Sequence, residues 1–369
     1  MKVLVTGHRG YIGTVLTEML VQRGHHVVGI DTDLYARCTF GQDSTSSVPS
    51  IECDIRELAP AQLETFDAIL HLAGVCNDPL GDLLPETTFA INEKATVRLA
   101  RLAVDAGVSR FVFSSTCSVY GAAVQDWVDE HTPVNPVTPY GISKYEAERG
   151  LLALASDTFS PVLLRSATAY GFSPRIRFDL VLNNLVAYAL TSRRVFLKSD
   201  GMAWRPIVHI ADISRAFIAA LEAPREAVHG EIFNVGVTTE NYRVREIAEI
   251  VRAVVPGSSI TYAEGAGVDL RSYRVDCSKI AMQLPNFRPQ WTAIAGAQEL
   301  YARYSECGLG AEDFEGPRYQ RLAYLKSLFS KGFLDTSLRW LPEAADWRRP
   351  GATPVRHAPL ELGSQEAAQ

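Results

Sequence analysis

The sequence predicts an α/β fold, a doubly wound parallel Rossmann sheet with a smaller mixed α/β lobe, from three observations. An apolar run, Val3 to Val5, ends in glycines at 7, 10 and 13. A second run, Val27 to Ile30, ends in an acid, Asp31. Strand-like and helix-like segments then alternate through the first half of the chain, as crossover connections between parallel strands require.

The first run reads as a buried parallel strand. Its glycines let backbone N–H groups approach a pyrophosphate at a helix N terminus, where the helix dipole is positive. The spacing is Gly-x-x-Gly-x-x-Gly. Asp31 stands where a carboxylate binds adenosine ribose hydroxyls, so the pattern favours NAD over NADP, whose 2′-phosphate it would repel. Arg9, inside the glycine loop, is the counter-argument, because a guanidinium there can reach a phosphate.

Further strands are expected at Ser50 to Cys53, Ala68 to Leu72, Arg110 to Ser114 and Val162 to Leu164, with helices at Thr14 to Arg23, Phe89 to Ala106 and Tyr140 to Ala155. After Gly171 the pattern changes. A helix is expected from Phe178 to Thr191, strands at Val195 to Leu197 and Pro206 to His209, and a helix from Asp212 to Glu222 capped by its acid. A strand at Ile232 to Val235 and an amphipathic helix from Val244 to Val255 follow. The expected division is a dinucleotide-binding domain over 1–170 with a returning segment at about 205–237, a substrate lobe over 171–204 and 238–340, and a poorly ordered tail over 341–369, which is rich in proline and lacks apolar periodicity.

The chain has 369 residues, of which 47% are hydrophobic and 21% charged, enough for one large or two modest domains. A net charge of −6 and no basic cluster interleaved with aromatics argue against nucleic acid. No apolar run reaches membrane-spanning length and no secretory leader fits before Lys2, so a cytoplasmic protein with no membrane partner is expected. The six cysteines, at 38, 53, 76, 117, 277 and 307, show no metal-ligand spacing. No metal is expected, and the cysteines read as reduced core residues. Cys117 is singled out because it lies beside the hydroxyl-rich end of the strand that starts at Arg110.

Tyr140 and Lys144 fall four residues apart at the start of a helix and share one face. An ammonium beside a phenol stabilises the phenolate and lowers its pKa from about 10, so the pair can exchange a proton near neutral pH. Upstream, Phe111-Val112-Phe113-Ser114-Ser115-Thr116 is an apolar strand that ends in hydroxyls. Strand C-terminal ends are where such sheets place ligands, and a hydroxyl there completes an acid/base relay.

On these motifs together the chain resembles the extended short-chain dehydrogenase/reductases, the family of nucleotide-sugar epimerases and dehydratases related to UDP-glucose 4-epimerase. The resemblance covers roughly residues 1 to 300. It implies that Gly7, Gly10, Tyr11, Ile12 and Gly13 form the cofactor loop. Asp54 and Ile55 meet the adenine, Leu72, Ala73, Gly74 and Ser114 line the cofactor, and Asn92 supports it. Thr116, Tyr140 and Lys144 match the catalytic triad. Thr168, Asn183, Arg205 and Arg271 match the sugar and diphosphate contacts, and an arginine fork suits a diphosphate because it bonds two oxygens together.

Two departures bear on the reaction. Cys117 and Ser118 stand where family dehydratases carry Asp and Glu, and Thr168 stands where many epimerases carry Asn. The resemblance therefore implies an NAD-dependent nucleotide-sugar epimerase that works through a transient 4-keto sugar. Nucleotide-sugar ketoreductases, oxidoreductases and dehydratases with the same triad are the alternatives, and a non-catalytic cofactor sensor is the alternative of another class. A homodimer is expected through Phe89 to Ala106 and Tyr140 to Ala155, whose outer faces carry alanine and leucine.

Overall fold

The computed structural model describes residues 1–41, 48–76, 78–122, 125–267 and 272–348. The leading strands are β1 (Lys2–Thr6), β2 (His26–Asp31), β3 (Ser50–Glu52), β4 (Ala68–His71), β5 (Arg110–Thr116), β6 (Trp127–Val128), β7 (Ser160–Ser166), β8 (Thr168–Tyr170), β9 (Arg194–Ser199), β10 (Trp204–His209) and β11 (Ile232–Val235). Seven of them form one parallel sheet in the order β11-β7-β5-β4-β1-β2-β3. The chain starts in the middle, at β1, and winds outward both ways. Between β1 and β4 the winding reverses, which opens a crevice beyond the strand ends. Parallel sheets are buried on both faces, and the chain meets that demand with Val3, Leu4, Val5, Ile69, Leu70, Phe111, Val112 and Phe113, all fully buried.

The helices that position the site are α1 (Gly13–Gln22), α2 (Asp78–Leu83), α3 (Pro85–Phe89), α4 (Thr96–Asp105), α5 (Pro139–Leu152), α6 (Val181–Ser192) and α7 (Ile210–Glu222). The single helix expected over Phe89 to Ala106 is interrupted by a π-helical turn, Ala90–Ala95, and that turn aims Asn92 inward. Helix α5 begins at Pro139, whose missing N–H suits the first helical position. Thr138 caps it by accepting from Gly141 N at 3.1 Å. Helix α7 is capped differently from expectation. His209 Nδ1 accepts from Ala211 N at 3.1 Å, while Asp212 turns away to accept from Gln290 N and Trp291 N. No helix among the described residues is long and apolar enough to cross a membrane.

The second lobe holds three small sheets. Strand β10 pairs in parallel with β8 and antiparallel with Asn241–Arg243; β9 pairs with Ser259–Gly267, and β6 with Arg274–Val275. Helix α6 packs there with Val244–Val254 and Ala293–Glu306 around Phe178, Leu182, Val186 and Tyr304. The returning segment is shared between the halves: β10 stays with β8, whereas β11 closes the edge of the large sheet. The tail expected from residue 341 is corrected over its first residues. Pro342–Ala344 and Ala345–Arg348 are helical, and buried Trp347 packs on Tyr324, Phe333 and Trp340. Apolar aromatic surface outweighed the proline content. Residues 349–369 lie outside the described residues.

One buried ion pair ties α5 to the sheet. Arg165 on β7 and Glu148 on α5 are 3% and 1% exposed, joined by Nη2 to Oε2 at 2.6 Å and Nε to Oε1 at 3.0 Å. Ser115 Oγ on β5 donates to the same carboxylate at 2.5 Å. Arg165 Nη1 donates to the Tyr120 hydroxyl, which donates to Asn234 Oδ1 on β11. Removing one partner leaves the other charge buried and uncompensated. Arg165→Met is therefore expected to lower unfolding free energy by about 3–5 kcal/mol. Urea denaturation checks this, and the double variant Arg165→Met/Glu148→Leu should recover much of the loss.

Candidate active site

A cavity of about 880 Å³ lies over the C-terminal ends of β1, β2, β4 and β5 and runs on between the two lobes. Its floor at one end is the glycine loop. Gly7 has φ 74°, and a Cβ there would sit 2.7 Å from Ala73 N. On Gly10 it would meet Gly7 O at 3.1 Å, and on Gly13 the same oxygen at 2.2 Å. Each glycine is thus needed to bring β1, the turn and the start of α1 together. The cradle ends on the N terminus of α1, where no acid occupies the first turn, so the positive end of the helix dipole is not neutralised by the helix itself.

Asp31 lines the cavity at the end of β2. Its carboxylate accepts from Arg9 N at 3.0 Å and Asp33 N at 2.8 Å, while burial, reinforced by the Asp33 charge, pushes its pKa up. Arg9 is occupied: Nη1 lies 2.8 Å from Asp33 Oδ2. Beyond Asp31 the wall is Asp54, Ile55, Leu72, Ala73, Gly74 and Ser114. Burial raises the Asp54 carboxyl, but the Arg56 guanidinium outweighs it and holds the group below the usual range. Glycine cradle, helix terminus and ribose-facing carboxylate together fit a dinucleotide.

Asn92 does not reach the cavity, and the expectation that it meets the cofactor is corrected. It is fully buried, accepts from Val75 N at 2.8 Å, and donates to Val75 O and Ser143 Oγ. Its role is to hold the loop after β4 against α5. Gly74 must lack a side chain for this, since a Cβ would stand 2.9 Å from Asn92 Oδ1.

Strand β5 and helix α5 bring Thr116, Tyr140 and Lys144 into the same wall. Thr116 Oγ1 donates to Ser118 Oγ at 3.2 Å and accepts from Ser118 N at 3.1 Å. Burial pushes the Tyr140 phenol well above the usual tyrosine range, with Cys76 adding to the effect, while Thr116 and Arg177 pull it back. Lys144 Nζ donates to Ser114 O at 2.9 Å and stands 4.6 Å over the Phe113 ring. Burial lowers this ammonium from 10.5 to about 8, against the opposing pull of Cys76 and Glu148. Lys144 is thus turned to the end of β5, and Arg177 adds a further positive charge that favours the phenolate. Spacing puts two side chains on one helix face without saying which way each long chain bends.

Cys117 is a buried thiol, donating to Arg165 O at 3.2 Å and raised by burial; its carbonyl accepts from Tyr273. Ser118 lines the cavity beside Thr116. Thr168 on β8 and Arg205 on β10 also line it, and Arg205 Nη1 donates to Trp204 O at 2.8 Å. Asn183 does not, which corrects its expected contact with the diphosphate. It is fully buried, and its amide is saturated by Gly171 N, the Tyr11 hydroxyl and Arg177 O. Arg271 lies outside the described residues.

Sequence reasoning missed Arg177, Asp179, Cys76, Asp78 and Tyr273, all of which line the cavity. Arg177 forms a two-point pair with Asp179, Nη2 to Oδ2 at 2.6 Å and Nε to Oδ1 at 3.1 Å, and reaches Cys76 Sγ at 3.5 Å. The available signal was Arg175-Ile176-Arg177, two cations in a turn-rich segment just past β8. Cys76 is exposed rather than part of the core, because the loop after β4 opens onto the cavity.

Residues 3–236 match the model of the NAD dependent epimerase/dehydratase family. UDP-glucose 4-epimerase of Mus musculus is 30% identical over 353 residues, covering 84% of this chain and 99% of the mouse protein. Among solved structures, MoeE5 in complex with UDP-glucuronic acid and NAD matches with a TM-score of 0.69 at 29% identity, over 83% of this chain and 100% of that one. The NAD dependent NDP-hexosamine 5,6-dehydratase TunA, involved in tunicamycin biosynthesis, matches at 0.74 over 83% of this chain and 98% of its own. At 23% identity that likeness concerns the fold.

The depressed Lys144 pKa is a statement about stability. Between about 8, its folded value, and 10.5 the unfolded chain binds the proton that the folded chain has lost, so this group's contribution to stability rises with pH across that window and is flat below it. The difference in unfolding free energy between the parent and Lys144→Met, measured by denaturant titration, is expected to climb through this window in the parent's favour. A pH-independent difference would contradict the assignment.

Proposed function

The chain belongs to the NAD-dependent epimerase/dehydratase family, and from that premise we propose that it interconverts two nucleoside-diphosphate sugars of equal mass through a transient 4-keto sugar. The observation that carries this reading is the placing of Tyr140 and Thr116 in one cavity wall at the end of β5, with no carboxylate at 117 or 118. Tyr140 exchanges a proton with the reacting sugar hydroxyl, and Thr116 holds that oxygen in line. Bound NAD supplies the hydride acceptor and then the donor at the sugar carbon, and its oxidised ring adds a positive charge to the site. Lys144 would hold ribose hydroxyls of the bound cofactor from the wall, and Asp31 those of the adenosine. Arg205 anchors the diphosphate, so that the sugar alone turns between the two half-reactions.

Dehydration needs an acid and a base at neighbouring carbons. Cys117 cannot serve, since its thiol is buried and spent on a backbone carbonyl. The feature that favours a dehydratase is Asp78, which lines the cavity, accepts from Thr138 Oγ1 at 2.8 Å, and acts on both Tyr140 and Tyr273. Its bond to the cap of α5 supports a role in holding the helix.

Nucleotide sugars incubated with purified protein in deuterated water discriminate these outcomes by mass spectrometry. Epimerisation should yield product of unchanged mass with no carbon-bound deuterium and no net NADH; loss of water or ring deuteration would overturn the reading. Tyr140→Phe should lose at least about 100-fold in turnover while binding NAD as the parent does. A homodimer through α4 and α5 is part of the same reading, supported by half-buried Val97, Leu102, Ile142 and Tyr145 on these helices. Light scattering at micromolar concentration should give twice the chain mass, and a monomer would refute it.

A further inference from the structure

The chain beyond Leu309 folds back over the adenosine end of the cavity. Arg318 Nε donates to Arg37 O at 3.0 Å, Trp340 Nε1 to Thr32 O at 2.7 Å, and Arg339 pairs with Glu57. Their partners sit in the segments that follow β2 and β3, the same segments that carry Asp33 and Asp54. Two side chains from this returning stretch, Arg321 and Leu338, line the cavity. Leu338 does so from φ 59°, a conformation that L side chains adopt only under constraint.

Arg321 is a buried guanidinium with no carboxylate partner among the described residues. It is 6% exposed, its Cζ stands 3.7 Å from the centre of the Tyr35 ring, and Nη2 donates to Arg175 O at 3.0 Å. Its Nε–H has no partner. The neighbouring arginines differ: Arg9 and Arg175 both pair with Asp33, and Arg177 with Asp179. The segment that Arg321 touches is fastened to the glycine loop and α1, through Tyr11 OH to Gly171 O at 2.7 Å and Thr14 Oγ1 to Ser173 Oγ at 3.0 Å. A buried cation with a spare donor is costly unless an anion meets it, and the N terminus of α1 is the anion-binding end of this cavity.

We propose that Arg321 binds the pyrophosphate of the dinucleotide together with the N terminus of α1, which makes the C-terminal stretch a working part of the cofactor site. The backbone cradle supplies dipoles, and Arg321 supplies the full charge and a fork shaped for two phosphate oxygens. This inference rests on NAD binding alone and is independent of which sugar reaction the protein performs.

Calorimetric titration of cofactor-free parent, Arg321→Met and Arg321→Lys with NAD, ADP-ribose and NADP tests it, with adenosine followed by ligand-observed NMR. Arg321→Met should weaken NAD and ADP-ribose by about tenfold or more, leave adenosine unchanged, and reduce the salt dependence of NAD binding. Arg321→Lys, which keeps the charge and loses the fork, should restore part of the affinity. The parent should prefer NAD to NADP because of Asp31. Unchanged NAD affinity in Arg321→Met overturns the proposal. So does an equal loss in the Met and Lys variants, which would mark a packing role, or a loss confined to NADP, which would assign the guanidinium to a 2′-phosphate. Arg321→Gln provides the same comparison if methionine packs poorly against Tyr35.

Discussion

The buried pair of Arg165 and Glu148 is the constraint on which the site's geometry depends. Three elements meet at one carboxylate: α5 supplies it, β7 supplies the guanidinium, and β5 supplies the Ser115 hydroxyl. Glu148 lies one helical turn beyond Lys144, and Ser115 immediately precedes Thr116. Fixing these two fixes the helix that carries Tyr140 against the strand that ends in Thr116. A hydrophobic contact would hold the same elements together with less directional precision, because apolar attraction tolerates a slide and a forked pair does not. The pair is fully satisfied, with Tyr120 and Asn234 extending it to β11, which is the condition under which buried charge is tolerable.

Around that joint the two ends of the cavity are built by different means. The cofactor end is made of backbone: three glycines whose missing Cβ atoms let turn, strand and helix approach to contact distance, and a helix terminus that faces the opening. Such a site is general, suited to the constant part of a ligand. The sugar end is made of side chains from separate segments, among them Arg177, Asp78, Thr168, Arg205 and Tyr273. It is specific to the extent that those segments are held, and their hydrogen bonds show how: Asp78 by Thr138, and Arg177 by Asp179.

Tyr140 and Lys144 show how burial sets chemistry before any ligand arrives. Desolvation opposes the charged form of each, raising the phenol and lowering the ammonium. The site therefore rests with a protonated phenol and an ammonium that gives up its proton readily. Arg177, in the segment past β8 and far from the Tyr-x-x-x-Lys motif, is among the groups that oppose this effect at Tyr140.

Local sequence determined a great deal. The main strands of the large sheet, the glycine cradle, Asp31 at the end of β2, and the common wall of Thr116, Tyr140 and Lys144 all follow from apolar runs and short spacings, because strands and helices impose fixed periods on neighbouring residues. Asn92 and Asn183 were read as ligand contacts and are instead buried, their amides spent on Val75 and on Gly171 and Arg177. Which way a polar side chain faces is decided by which backbone groups tertiary packing leaves unsatisfied, and no spacing rule carries that. Arg177 and Arg321 reach the cavity for the same reason, tied across 101 residues to Cys76 and across 146 residues to Arg175 respectively. The tail beyond 341 read as unstructured until Trp347 found Tyr324, Phe333 and Trp340. Periodicity is local and is written along the chain; the burial of a lone aromatic or guanidinium is a property of the surface it meets, which only the folded chain provides.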